Sequence, residues 1–519
     1  MKKALALFLV LTLSLAALAG FAGAAGEVKA GGTLIVGLPG DPATYNPAVG
    51  MDEAGGLLYY QLFNNLAITD GDYNIIPDLA DSWEYNEDFT KLTFYLHEGV
   101  KWHDGTDFTS ADVKWTMETI IAEFGTLAPN LSSVASIETP DALTVVFETS
   151  TPDAVLLSSL TYFGGSIMPK HIYEGTDWLT NPANQNPVGT GPFRFVNSRT
   201  GVSVELAANS DYFREGPYLD RIMCQIVTDP ETEYQMWQNG EIDVMYNQVP
   251  GTDFTKYDGD PNYTSRFSLM ANRNYFTFHL EKEDNPFADL RLRQAFNLAL
   301  NREQILNTGL KGNGALAEYY ISPKFEWALN DDIKIPAQNI EQARALLEEA
   351  GYTADANGVY LSVQVDYFMF DEVLVVAQAN LLEAGIDIQL NKLEINAWID
   401  KTMISGDYDV TILGGDQGPD VSSIGMRIGT GSTMNLARYS NPRVDELLAL
   451  GTSAADHAQR APYYQELQEV LAEDLPIIIC NDVGYKTIVT AGIRGVPMAD
   501  DTVRPLVPRY SYAMTWIDN

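Results

Sequence analysis

At 519 residues the chain is too long for one small core, and two or three domains are expected. An apolar fraction of 46%, with 11% aromatic residues, excludes disorder and suits well-packed domains. Its 70 acidic against 32 basic residues give a formal charge of −38, which argues against nucleic acid and anionic lipid as partners.

Lys2 and Lys3 precede an apolar run from Ala4 to about Ala19, and Ala22-Gly23-Ala24 follows as a small-residue cleavage site. The pattern predicts a signal peptide over residues 1–24, cleaved near Ala24, and hence export to the periplasm. No cysteine lies near that point, so a lipid-anchored mature form is not expected. Residues 32–37 are a β-rich run, and 92–96 and 143–147 alternate as half-buried strands do. Thr109 caps a predicted helix whose apolar face is Val113, Met117, Ile120, Ile121 and Phe124. Asp229-Pro230 opens another, Gly240 closes it, and 242–244 continues as a strand. The two cysteines, Cys224 and Cys480, sit in apolar strand-like runs; two buried thiols and one long-range disulfide are both open.

After about Phe276 the character changes. Residues 286–306 read as a helix with Leu292, Ala295, Phe296 and Ala299 on one face. Asn339 and Gln342 form a capping-box pair ahead of Ala343, Leu346, Leu347 and Ala350, and Gly351 ends that helix. Strand 361–365, helix 371–383, strand 386–393, helix 397–404 and strand 408–413 then alternate. Units of this length predict an α/β fold with a parallel, doubly wound sheet. In such sheets ligands sit beyond the carboxyl ends of the strands. The loops there, 366–370, 394–398 and 414–420, carry Tyr367, Phe368, Phe370, Trp398, Asp416 and Asp420, with glycines at 414, 415 and 418. Aromatic walls and a few acids suit an organic ligand with apolar side groups and a cationic end.

His97 and His103 flank Glu98 and Asp104, but the spacing fits no zinc pattern and a strand followed by a turn explains the segment better. No metal or cofactor is expected. The chain has no nucleophile elbow, no P-loop and no dinucleotide fingerprint.

Several segments, in order, resemble the family 5 extracellular solute-binding proteins, which include oligopeptide- and dipeptide-binding proteins of ABC importers. They are residues 79–84 (LADSWE), 92–96, 98–113 (EGVKWHDGTDFTSADV), 186–193 (NPVGTGPF), 291–303, 343–351 and 439–448 (YSNPRVDELL). The resemblance implies a two-lobe binding-protein fold with an inserted subdomain and two hinge strands. The first lobe would combine 27–76, 189–276 and 487–519, carrying residues 77–188 as the insertion; residues 277–486 would form the second. It further implies a monomer without catalytic residues, with importer permease subunits as partners and a short peptide as ligand. A non-peptide receptor (for a cationic chelate or a sugar) and a secreted hydrolase are the alternatives. Peptide-binding members pair the ligand's ammonium with an aspartate that aligns with Asp416. The expected ligand-binding set is Asp416, Asp420, Gly415, Trp398, Tyr367, Phe368, Asn435 and Tyr45.

Overall fold

The computed structural model describes residues 28–50, 52–70, 73–123, 127–161, 165–245, 255–415, 417–454, 456–497 and 511–518. The expected signal peptide, Phe124 and Asp416 lie outside the described residues.

Strand β1 (Thr33–Leu38) buries Leu34, Val36 and Leu38 on one face, as the period of two requires. An antiparallel sheet follows, built from β2 (Ala80–Tyr85), β3 (Lys91–Leu96), β4 (Val134–Asp141) and β5 (Thr144–Thr149) in the order β2-β3-β5-β4. Helix α1 (Ser110–Ala122) lies on it, with Val113, Met117 and Ile120 buried. Its start is fixed by Thr109, whose N–H donates to Asp112 Oδ2 at 2.9 Å. Strands β6 (Phe193–Arg199), β7 (Ser203–Ala208) and β8 (Arg221–Ile226) then join β1 in the order β1-β8-β7-β6. Helix α2 (Pro230–Gln238) opens at Asp229 as expected. The strand expected over 242–244 reduces to a single bridge between Val244 and Val36, because the Asp243 carboxylate takes the Ile35 N–H at 2.7 Å. One core serves both sheets; Val489, Ile493, Val496 and Tyr512 return to it from the far end of the chain.

Strand β9 (Tyr263–Phe278) leaves this half and enters the other, paired antiparallel along its length with a late strand described below. The helix expected over 286–306 stops early: α3 spans Leu290–Ala299, Leu300 turns extended, and Asn301 caps a fresh turn by accepting from Gln304 N–H at 2.9 Å. Helix α4 (Ile340–Glu349) begins where Asn339 accepts from the Gln342 N–H at 3.0 Å. Strand β10 (Leu361–Tyr367), helix α5 (Asp371–Ala384), strand β11 (Ile386–Lys392) and strand β12 (Val410–Leu413) give the expected alternation. Gly385 ends α5 at φ +88°, where any Cβ would also strike Gly358 O at 2.6 Å. The helix expected over 397–404 starts two residues sooner and widens from an α-turn (Ile395–Ile399) into a π-turn (Asp400–Ile404). Helix α6 (His457–Asp474) precedes the partner of β9, strand β13 (Ile477–Thr490).

The sheet of this half keeps the expected parallel strands and adds antiparallel ones to them. β10 runs parallel to both β11 and β12, but β12 pairs antiparallel with β9, and β9 with β13. The long strands that carry the chain between halves supply the antiparallel edge. Both faces are covered: Ile478 and Cys480 enter a core with α3, α4 and α5, while Ile477 and Ile479 enter a second core with α6 and Trp398. Cys224 and Cys480 are buried free thiols in different cores, each pushed up to about 12 by burial. No helix among the described residues is long and apolar enough to cross a membrane.

Candidate functional site

The carboxyl ends of β10, β11 and β12 point to one edge, where their loops gather. Gly414 follows β12 where no side chain fits: a Cβ would meet Asn274 Oδ1 at 2.4 Å and Phe370 Cζ at 2.5 Å. The loop beyond it is fastened to β9. Gly415 N–H donates to Asn272 Oδ1 at 3.1 Å, and Gln417 N–H donates to Ala271 O at 2.5 Å. β9 can serve this loop because it bulges here: Leu269 faces Gly484 and Arg273 faces Asp482, so residues 270–272 stand opposite Val483 alone. The bulge removes these groups from the ladder and offers them sideways. Asp416 itself lies outside the described residues, but the neighbours on both sides of it are held by β9.

The other expected residues divide by environment. Trp398 is buried, its Nε1–H donates to Thr411 Oγ1 at 2.9 Å, and its ring meets that of Phe368 at 4.8 Å. Tyr367 is buried and donates to Asp371 Oδ1 at 3.1 Å. Both support the loop edge with their polar ends already engaged. Asp420 is buried and grips Arg460 with two bonds, Nη1 to Oδ2 at 2.9 Å and Nη2 to Oδ1 at 2.5 Å. Burial pushes its carboxyl up, but the hydrogen-bonded Arg460 outweighs this and holds it below the usual range. Asn435 fastens its own loop, donating to Gly429 O at 2.9 Å and Tyr439 O at 2.7 Å. Tyr45 lies in the first core, 5.0 Å from the Phe195 ring, its phenol pushed up to about 12 by burial. The structure thus gathers 367, 368, 398, 415 and 420 at one edge and leaves Tyr45 in the other half.

Beside this edge opens a cleft of about 1160 Å³. One side carries Tyr73 and Trp83, with Leu157 nearby; the other carries Phe325, Trp327, Asp420 and Arg460. Tyr73 crosses between the sides: its ring lies 5.7 Å from Phe325, Lys324 Nζ sits 5.8 Å from its centroid, and its hydroxyl accepts from the Ala271 N–H at 3.1 Å. Ala154 N–H closes the far end by donating to Thr452 O at 3.0 Å. Sequence reading missed all these rings. Trp83 lies within the recognised 79–84 segment, but nothing local marks it as a partner for residues some 240 positions away.

The histidine segment is scaffold. His97 Nδ1 lies 2.9 Å from Asp81 and His171 Nε2 lies 2.8 Å from Asp104. His103 accepts from Gly189 N–H at 3.1 Å and donates to Gly191 O at 3.0 Å, which joins two of the recognised segments. No group of three or more metal-ligating side chains is found among the described residues.

Two lobes of α/β structure, joined by paired long strands and separated by a ligand-sized cleft, define a periplasmic-binding-protein fold. The chain belongs to the bacterial extracellular solute-binding proteins, family 5, whose middle-region model matches residues 74–434. It is 28% identical to the oligopeptide-binding protein AppA of Bacillus subtilis over 87% of this chain and 86% of that protein. It is 27% identical to heme-binding protein A of Haemophilus influenzae over 82% of each. The structure of Bacillus subtilis AppA with a nonapeptide superposes with TM-score 0.78 at 25% identity, covering 95% of this chain and 100% of that one.

Proposed function

We propose that this chain is the extracytoplasmic receptor of an ABC importer, capturing a short peptide between its lobes and delivering it to the permease. The observation that carries this reading is the seating of the 414–420 loop on the β9 bulge, in the strand pair that joins the lobes. A ligand touching that loop pushes directly on the hinge, so binding and closure are coupled. The peptide assignment draws on the relatives named for oligopeptides. Asp416, between Gly415 and Gln417 in the sequence, is the residue assigned to the ligand's ammonium. Export by a cleaved leader and a monomeric state belong to the same reading, as do lobes near 27–76, 189–276 and 487–519 on one side and 277–486 on the other, with 77–188 inserted.

No bond is made or broken in this function. Buried carboxylates of the loop edge are ion-paired, Asp420 with Arg460 and Asp366 with Lys401 at 2.7 Å, which suits binding better than proton transfer. Native mass spectrometry of the protein incubated with a mixed tetrapeptide pool is the test. Retention of one peptide per chain without hydrolysis is expected; repeated turnover of the pool overturns the receptor reading.

A further inference from the structure

The two lobes also touch away from the long strands, where a loop of the first completes a helix end of the second. The helix Pro442–Ser453, like any α-helix, ends on carbonyls that find no partner within it. Leu450 O accepts from Ala454 N–H at 3.2 Å, and Gly451 O accepts from Arg460 Nε–H at 2.7 Å. Thr452 O takes the N–H of Ala154 at 3.0 Å, and Ala154 belongs to the other lobe. Its loop is built to present that group. Asp153 is buried and tied three ways within its own lobe: its N–H donates to Phe89 O at 2.9 Å, Oδ1 accepts from Val155 N–H at 3.0 Å, and Oδ2 accepts from Ser133 Oγ at 2.5 Å. Leu157 N–H donates to the Tyr85 hydroxyl at 3.0 Å, which fixes the next turn to strand β2. The N–H groups of residues 153, 155 and 157 are therefore engaged at home, while that of Ala154 points across. The receiving end is set as firmly. Arg460 is gripped by Asp420, and the Tyr464 ring packs so close to Gly451 that a Cβ there would meet it at 2.6 Å.

We infer that residues 153–157 form a clasp, which fastens the first lobe to the C-terminal end of the helix Pro442–Ser453 and favours the closed arrangement of the lobes. The clasp rests on the receptor reading for its purpose, which is to slow the escape of a captured ligand. Both of its halves are preformed, so closing it orders little chain and the hydrogen bond between them supplies the gain. Ala154 and Thr452 are half-buried, so water replaces the bond on opening and its net worth is that of an ordinary one. This amounts to about a five-fold bias toward closure. A bias of that size tunes the equilibrium and leaves the lobes free to open, and ligand contacts do the rest.

The test reads the lobes directly and without ligand. Cys224 and Cys480 are buried, so cysteines placed at the exposed Leu179 and Ile404, one on each lobe, can carry spin labels on the full chain. Double electron–electron resonance should resolve a closed and an open population. Ala154→Pro deletes the N–H and should lower the closed-to-open ratio about five-fold at an unchanged melting temperature. Ala154→Gly keeps the N–H and should leave the ratio as it is. If the proline lowers the melting temperature, a cysteine pair decides: Ala154→Cys with Thr452→Cys should form an intramolecular disulfide under mild oxidation, and the oxidised chain should scatter as a more compact particle than the reduced one. An unchanged ratio in folded Ala154→Pro, an equal loss in Ala154→Gly, or a cysteine pair that does not close overturns the clasp. With the tetrapeptide pool, retained peptide should leave Ala154→Pro about five-fold faster than wild type. Peptide retention without any effect of the proline overturns the clasp and leaves the receptor standing, whereas the expected shift in populations without any peptide retention supports the clasp and overturns peptide capture.

Discussion

His103 shows how one side chain ties two sequence segments together and makes the tie dependent on pH. Its Nδ1 accepts from the Gly189 N–H and its Nε2–H donates to Gly191 O, which only the neutral ring can do. Burial lowers its pKa from 6.5 to about 4. Between those values the unfolded chain binds more protons, so stability from this group is present above pH 6.5 and lost as pH falls toward about 4. Asp78, raised by burial to about 7, works in the opposite direction over much of that range, so only a comparison with a variant isolates His103. The stability gap between wild type and His103→Gln should shrink by up to about 3 kcal/mol over this interval, as read by urea unfolding. The two loop aspartates should separate just as clearly. Asp416→Asn is expected to weaken binding of a retained peptide by about 2–5 kcal/mol, roughly 30- to several-thousand-fold, without moving the melting temperature. Asp420→Asn strips a buried guanidinium of its partner and should instead lower fold stability by about 3–5 kcal/mol. Calorimetry with parallel thermal melts distinguishes them; affinity loss at Asp420 without a lower melting point would reassign the ligand contact.

At the scale of elements, the strand pair β9–β13 governs the rest. Beyond the bulge, Arg273 and Asp482 are buried together, with Nε to Oδ1 at 2.5 Å and a further bond from Nη2 to Tyr319 O at 2.7 Å. Asp482→Asn leaves the arginine's charge uncompensated and is expected to cost about 3–5 kcal/mol. Joint replacement, Arg273→Met with Asp482→Leu, should recover most of this, because the penalty lies in the lone charge rather than in the loss of attraction. A double variant as unstable as the single one in urea would mean that the pair fixes the register of the bulge. The elements themselves were largely legible: caps at Thr109, Asp229 and Asn339 and the strand–helix alternation after 361 all lie in short windows. The break at Leu300 was missed although Asn301 and Gln304 carry its cap, because the apolar period on either side hides it. The antiparallel edge of the second sheet was not legible from periodicity, since a strand's pattern records which faces are buried and not which neighbour it takes.

For the whole molecule, a formal charge of −38 means that folding gathers like charges, and salt should relieve the repulsion. The melting temperature is expected to rise between about 10 mM and 1 M NaCl as the screening length falls from roughly 30 to 3 Å. A flat profile would show that local ion pairs, such as Arg443 with Glu466 at 2.6 Å, already neutralise the surface where it matters. Small-angle scattering should show the chain becoming more compact on saturation with a retained peptide; unchanged dimensions would remove the hinge from the mechanism.

By itself the sequence determined the fold class, the parallel strands and the edge where their loops meet, because periodicity, caps and turn residues act over a few positions. Which side chains remain available at that edge was decided only by tertiary structure. Asp420 reads as a free carboxylate until Arg460, forty positions on, is placed against it. Trp83 and Trp327 read as ordinary aromatic residues until the long strands bring the two lobes together around one cleft. Charge pairing and cavity shape depend on contacts between distant segments, and no local pattern specifies them.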